Sequence, residues 1–256
     1  MRIVVIIPTF NEAENIERLL NNLLSHIEKQ KNHSFKILVV DDNSPDGTGE
    51  IVEGMMKKYS VIKKLGGEKK GLGKAMIKGY LYAINELRAE IVISNEADFA
   101  FDFKHMREMI KKIEQDDYDV VVASRHIGIG KTEGWTLTRR LNHWIANTLL
   151  GRWIAGVREV YDKNGAFRAI RVEEIMDQIN WRKQNVRGFA FFFYTIALYA
   201  ELTDKFYEIP AIYKFRRRGE SKVSFNPKYI KTYVRDVIEY VKLAFRVRLK
   251  KCNINL

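Results

Sequence analysis

Cysteine occurs once in 256 residues, at Cys252, and proline only 4 times. A single thiol excludes an intrachain disulfide and any metal site built from several cysteines. It is also what a chain in a reducing compartment shows. Few prolines beside 12% aromatic residues argue against a disordered or low-complexity chain. Long apolar runs are missing too. The longest uncharged stretch, GFAFFFYTIALYA from Gly188 to Ala200, falls short of the about 20 residues a spanning helix needs, so no transmembrane segment is expected. The run Ile3 to Ile7 is shorter than the apolar region of a secretory signal and reads as a buried strand. Acidic charge is outnumbered: 44 Lys and Arg against 32 Asp and Glu leave a net charge of +12. Such a surplus points to an anionic partner, whether nucleic acid, a phosphorylated substrate or an anionic lipid surface.

What is present is enough apolar residue, 46%, for a sizeable core. The length fits one large domain, or one domain with a small extension, at roughly 150 residues per domain. Strands are expected at Arg2 to Ile7, Phe35 to Val40, Val61 to Leu65, Glu90 to Ser94 and Val120 to Ser124. Helices are expected between them, at Glu12 to Gln30, Gly47 to Tyr59, Gly73 to Leu87 and Phe103 to Gln115. Short apolar strands alternating with helices predict an α/β fold, a mostly parallel sheet with helices on both faces. Ligands of such sheets sit beyond the carboxyl ends of the strands. The polar segments PTFNE, DDNSPDG, NEAD and SRH follow four of those ends and so share one rim. Beyond Arg125 the pattern weakens into longer helices. From Tyr229 to Leu249 apolar residues recur at helical spacing with Lys and Arg between them, a basic amphipathic helix. Such a helix either packs on its own domain or lies on an anionic membrane surface.

Two segments invite chemistry. GGEKKGLGKA has the look of a phosphate loop, but five residues separate Gly67 from Gly73, and Ala75 stands where Ser or Thr is required. No dinucleotide fingerprint follows the first strand either. The tripeptide Glu96-Ala97-Asp98 ends a buried strand, and carboxylates two apart in a loop can face one hard cation. A cation there would bridge a diphosphate and offset charge on a leaving nucleotide. Arg125, Arg139 with Arg140, and FRRRGESK from Phe215 are candidate phosphate clamps, since arginine binds phosphate in a bidentate way.

Taken in order, these segments resemble the family 2 glycosyltransferases of the GT-A fold (nucleotide-diphospho-sugar transferases), and within them the polyprenyl (dolichyl) phosphate mannose synthases. The matching residues are IPTFNEAENI from Ile7, VVDDNSPDGT from Val39, GLGKA from Gly71 and EAD from Glu96. After them come SR at Ser124, GWTLTRR at Gly134, DKNGAFR at Asp162 and RRRGESK at Arg216. The resemblance implies a glycosyltransferase domain over residues 1–224, followed by the basic helix of 225–256 as a membrane-surface contact. It implies inverting transfer of a hexosyl group, mannosyl from GDP-mannose as the first choice, to a polyprenyl phosphate. Pro8, Phe10, Glu12, Val40 and Asp42 would hold base and ribose. Glu96, Ala97 and Asp98 would sit at the diphosphate, with Asp98 and Glu96 as ligands of Mg2+ or Mn2+. Arg125, Arg139, Arg216 and Lys222 would contact the donor diphosphate or the acceptor phosphate. Asp98, Arg125 and Arg139 would carry catalysis.

The expected location is the cytoplasmic face of a membrane, as a peripheral protein, a setting compatible with a membrane-anchoring partner protein. Nucleic acid is not an expected partner, because no recognisable nucleic-acid module is present. The sequence departs from the family pattern at Glu96, where Asp is usual. Ala100 replaces a polar metal ligand and Phe101 a histidine, while Phe192 and Tyr194 replace Gln and Glu. These departures motivate the alternative of a catalytically weak paralogue that binds a nucleotide sugar or serves as a partner subunit.

Overall fold

The computed structural model describes residues 1–214 and 230–252. Its first half follows the expected alternation: β1 (Arg2–Thr9), α1 (Ala13–Ile27), β2 (Ser34–Asp41), α2 (Thr48–Lys58), β3 (Ile62–Gly66), α3 (Leu72–Asn85), β4 (Ile91–Ser94), α4 (Met106–Glu114) and β5 (Val120–Ser124). A single 3-10 turn, Phe103–His105, leads into α4. The second half contributes β6 (Lys131–Glu133), α5 (Leu137–Trp144), β7 (Arg168–Arg171), α6 (Ala190–Tyr199), β8 (Phe206–Pro210), β9 (Ile212–Lys214) and α7 (Ile230–Lys251). Helix α5 runs on into wider π-type turns over Ile145–Ile154.

Seven strands form one sheet in the order β3-β2-β1-β4-β7-β5-β8. All neighbours are parallel except β7, which runs antiparallel to both β4 and β5. The second half is therefore not only helical, as its sequence suggests, because it supplies a central strand and an edge strand of this sheet. Strands β6 and β9 pair separately.

Alternation along each strand divides the core in two. Ile3, Val5 and Ile7 of β1 pack with Leu19, Leu23 and Ile110 of α1 and α4, whereas Val4 and Ile6 face Met76, Tyr80 and Ala83 of α3. Gly79 lets α3 approach the sheet: a Cβ there would lie 3.0 Å from Ile6 Cγ2 and 3.1 Å from Val40 Cγ2. Helix α6, the uncharged run of the sequence, is buried nearly all round beside α3 and α7. No described helix is long and apolar enough to cross a membrane.

Candidate active site

Parallel β1, β2 and β4 end at one rim, and their outgoing loops build a cleft of about 790 Å³. The loop after β1 brings Pro8, Phe10 and Glu12, and that after β2 brings Asp42. Asn11 takes a left-handed turn (φ 57°), and its N–H donates to Ser44 Oγ at 2.9 Å. The adjoining aspartate, Asp41, is consumed in holding this corner. It accepts from Thr9 Oγ1 (3.1 Å), Ser44 Oγ (2.6 Å) and Ser44 N (3.1 Å). Glu12 is buried and accepts from Asn15 Nδ2 at 2.9 Å. Burial pushes the Asp42 carboxyl up to about 6, assisted by Asp41 and opposed by Lys78 and Lys69. The Lys69 ammonium lies 3.4 Å from the centre of the Phe10 ring, a cation–π contact across the cleft.

The loop after β4 supplies Glu96, Ala97 and Asp98 to the same cleft. Asp98 is buried, and its Oδ1 accepts the Ala100 N–H at 3.0 Å, which fixes the carboxylate at the loop's turn. Above it stands Tyr213 of β9, whose hydroxyl accepts from Arg139 NH2 at 3.4 Å. Burial raises the Tyr213 hydroxyl, and the negative charges of Glu96 and Asp98 raise it further. The two carboxylates therefore act on one point of the cleft. All-oxygen donors at the end of a rigid strand fit a hard divalent cation such as Mg2+ or Mn2+. The opposite wall is Arg187, Gly188 and Phe189 before α6, with Thr232, Arg235 and Asp236 from the first turns of α7. Glu239 fastens the two, accepting from Arg187 N (3.1 Å) and Gly188 N (2.9 Å).

Of the residues expected from sequence, Pro8, Phe10, Glu12, Asp42, Glu96, Ala97, Asp98 and Arg139 converge on this cleft. Two expected residues lie elsewhere. Val40 is wholly buried and its side chain joins the core on the α3 side. Arg125 lies behind the cleft wall, buried, with its guanidinium held by Asp162 through Nε–Oδ2 and NH2–Oδ1 bonds of 2.7 Å each. It stacks beneath Tyr213 and Trp135, 5.3 and 5.5 Å from their ring centres, and so supports the wall. Arg216 and Lys222 lie outside the described residues.

The departures from the family pattern are absorbed by packing. Ala100 and Phe101 are buried, Phe101 edge-on to Tyr213. Phe192 is in the core, and Tyr194 donates to Gln184 Oε1 at 2.8 Å. Lys69, Lys70, Tyr213, Arg187 and Arg235 were not singled out from sequence. The strand, loops and helix that carry them meet the rim only through tertiary structure, although Lys69 and Lys70 lie within the glycine-rich segment GGEKKGLGKA.

A model of glycosyl transferase family 2 matches residues 4–178. A dolichol-phosphate mannosyltransferase of Pyrococcus furiosus is 30% identical over 243 residues, which cover 94% of this chain and 64% of that protein. The chain thus spans less than two thirds of that relative's length. An undecaprenyl-phosphate mannosyltransferase of Micrococcus luteus is 28% identical over 225 residues, 88% of each chain. Among solved structures, mannosyl-3-phosphoglycerate synthase from Rubrobacter xylanophilus superposes with a TM-score of 0.65 at 13% identity, over 99% of this chain and 75% of that one. A mannosyltransferase from Pyrobaculum calidifontis in complex with GDP-mannose and Mn2+ gives 0.57 at 14% identity, over 100% and 76%. At such identities the likeness establishes the GT-A fold.

Proposed function

This chain belongs to glycosyl transferase family 2, and from that membership we propose that it transfers a hexosyl group from a nucleotide sugar to a polyprenyl phosphate at a membrane surface. The donor proposed is GDP-mannose and the stereochemistry inverting. One observation carries the reading: a single cleft presents the carboxylates Glu96 and Asp98 on one side and the cations Lys69, Arg139 and Arg235 around them. The names of the two curated relatives, both polyprenyl-phosphate mannosyltransferases, support the acceptor class.

The chemistry suits these groups. A lipid phosphate is already anionic at neutral pH, so its oxygen attacks the anomeric carbon without a strong general base. The new carbon–oxygen bond forms on the face opposite the nucleotide, and the old bond's electron pair leaves with the nucleoside diphosphate. The difficulty is bringing two anions together, which the guanidinium and ammonium groups ease. Asp98 and Glu96 would hold Mg2+ or Mn2+, which would neutralise the leaving diphosphate. Phe10 offers an apolar face beside the base, while Asp42 and Glu12 offer acceptors for ribose hydroxyls.

Exposed apolar side chains on and beside the two helices that reach the cleft support a lipid acceptor. Leu137 (81% exposed) and Leu141 of α5, Trp153 (61%), and Val234, Val237 and Ile238 of α7 face solvent. A side-chain hydrogen bond between Tyr233 and Asn142 ties the two helices together. Exposed apolar side chains set among Arg140, Lys231 and Lys242 match an anionic bilayer surface. We retain a division of labour between residues 1–224, the catalytic part, and 225–256, the membrane contact. Helix α7 serves both, since its outer face is exposed while Tyr240, Leu243, Ala244 and Val247 pack inward. Action at the cytoplasmic face is part of the proposal.

The test is a transfer assay offering GDP-mannose, UDP-glucose and UDP-N-acetylglucosamine, each with polyprenyl phosphate and Mg2+ or Mn2+. Glycolipid from one donor, lost in Asp98→Ala, is expected. Nucleotide binding without product from any donor would instead make the chain a binding paralogue.

A further inference from the structure

Away from the carboxylate pair, three elements converge on a second set of ligand-type side chains. His126 follows β5, His143 lies in the last turn of α5, and Asp162 sits in the loop before β7. One ligand atom from each lies within 4.8 Å of the others. The two Nε2 atoms are 2.8 Å apart, the ring centres 5.0 Å apart and the ring planes 2° from parallel. These values put both nitrogens on the line between the rings, pointing at each other.

We propose that His126, His143 and Asp162 form a binding site for a borderline divalent transition cation, Zn2+ by chemistry, separate from the hard-cation site at Glu96 and Asp98. Two imidazoles and a carboxylate make the N2O set such ions prefer, with a fourth position left to water. The ligands are in their binding forms. Burial holds His143 well below the usual histidine range, and Arg125 adds to this; burial lowers His126 as well. Burial would raise the Asp162 carboxyl, but the Arg125 ion pair outweighs it and keeps the group ionised. Asp162 Oδ2 accepts both Arg125 N and Nε, whereas Oδ1 accepts Arg125 NH2 alone and keeps a lone pair. Arg125 and Arg139 bring positive charge to His143, and Arg125 and Lys163 bring it to His126. Asp162 offsets Arg125, and the Glu208 carboxylate, bonded to the N–H groups of Tyr161 and Asp162, adds negative charge. His143 is oriented by the edge of Trp135 at 5.1 Å. A tetrahedral ion with bonds near 2.0–2.1 Å needs its nitrogens about 3.3 Å apart. His126 must therefore move outward by roughly half an ångström, and the two rings must tilt by about 70° in total for their lone pairs to converge on one ion, a reorientation that falls to the exposed His126.

The competing account is that the pair is only a hydrogen bond between a donor and an acceptor imidazole, stapling α5 to β5. Co2+ distinguishes the two. The full chain, held in excess Mg2+ to occupy the carboxylate pair, is titrated with Co2+ and its visible ligand-field bands are followed. One equivalent giving intense bands, displaced by Zn2+, is the expected result. His126→Ala and His143→Ala should each weaken Co2+ binding by more than about 100-fold, beyond what loss of a supporting hydrogen bond costs. Asp98→Ala should leave the bands intact. Circular dichroism checks that the variants fold. A featureless titration overturns the site, as do bands that survive both histidine variants or vanish in Asp98→Ala.

Discussion

At the scale of single residues, two carboxylates beside the sheet behave in opposite ways. Asp42 titrates at about 6 in the fold against 3.8 when solvated. Between these values the folded chain holds a proton that the unfolded chain has released. Asp42 therefore lowers stability as pH rises through this window, and the loss is complete above it. Thermal melts should show Asp42→Asn more stable than wild type at about pH 7 and equal to it at about pH 4. Donor affinity should run the other way. If the ionised carboxylate accepts from ribose, calorimetric titration will find binding weakening as pH falls through about 6, a trend absent in Asp42→Asn. Asp162 is paired instead of exposed to substrate. Asp162→Ala strands the buried Arg125 cation and should cost about 3–5 kcal/mol, read as a lowered urea midpoint. Asp42 was legible from VVDDNSPDGT and from its place after a strand. The locked state of Arg125 was not: Asp162 stood in the recognised segment DKNGAFR, but nothing in the sequence paired it with an arginine 37 residues away.

At the scale of elements, the glycine-rich segment has a packing explanation. Gly73 lies in the first turn of α3, and a Cβ there would run into the backbone carbonyl of Val186, while its N–H donates to Arg187 O at 2.9 Å. The glycine admits the loop that forms the far wall of the cleft. Gly73→Ala should destabilise the fold by about 1–3 kcal/mol and raise the donor KM more than it lowers kcat, because the wall shifts while Asp98 does not. Unfolding curves and steady-state kinetics check both parts. The strands of the first half were readable because their apolar runs of four to six residues are bounded by polar turns. Strand β7 was hidden by its own composition. Its sequence, RAIR, places Arg168 wholly inside, where the guanidinium is satisfied by the carbonyls of Gly165, Lys163 and Phe192 and by Thr195 Oγ1, with no carboxylate among those bonds. Arg171 is covered by Asp117 and Asp119. No rule of alternation marks a strand whose charges are answered by its own preceding turn, a helix and a distant loop.

At the scale of the whole molecule, α5 and α7 both line the cleft and both expose apolar side chains, so in the proposed function transfer and surface binding would share one edge. Leu137→Asp and Val237→Asp should each weaken binding to anionic vesicles by about tenfold, as loss of ~1.5 kcal/mol of buried apolar area predicts. Flotation measures this, and added salt should weaken wild type further. Turnover of a short, water-soluble polyprenyl phosphate should change little in either variant. The sheet itself carries a consequence for how the chain comes together. Among the described strands, β7 bridges β4 and β5, and it arrives more than 70 residues after the strand on one side and more than 40 after the other. Until residue 171 has emerged during synthesis, β4 presents an unpaired edge and β5 has no seat in the sheet. The first half of the sheet is thus written early but sealed late. Slow maturation, with aggregation of chains stopped between β5 and β7, is the outcome expected of this strand order.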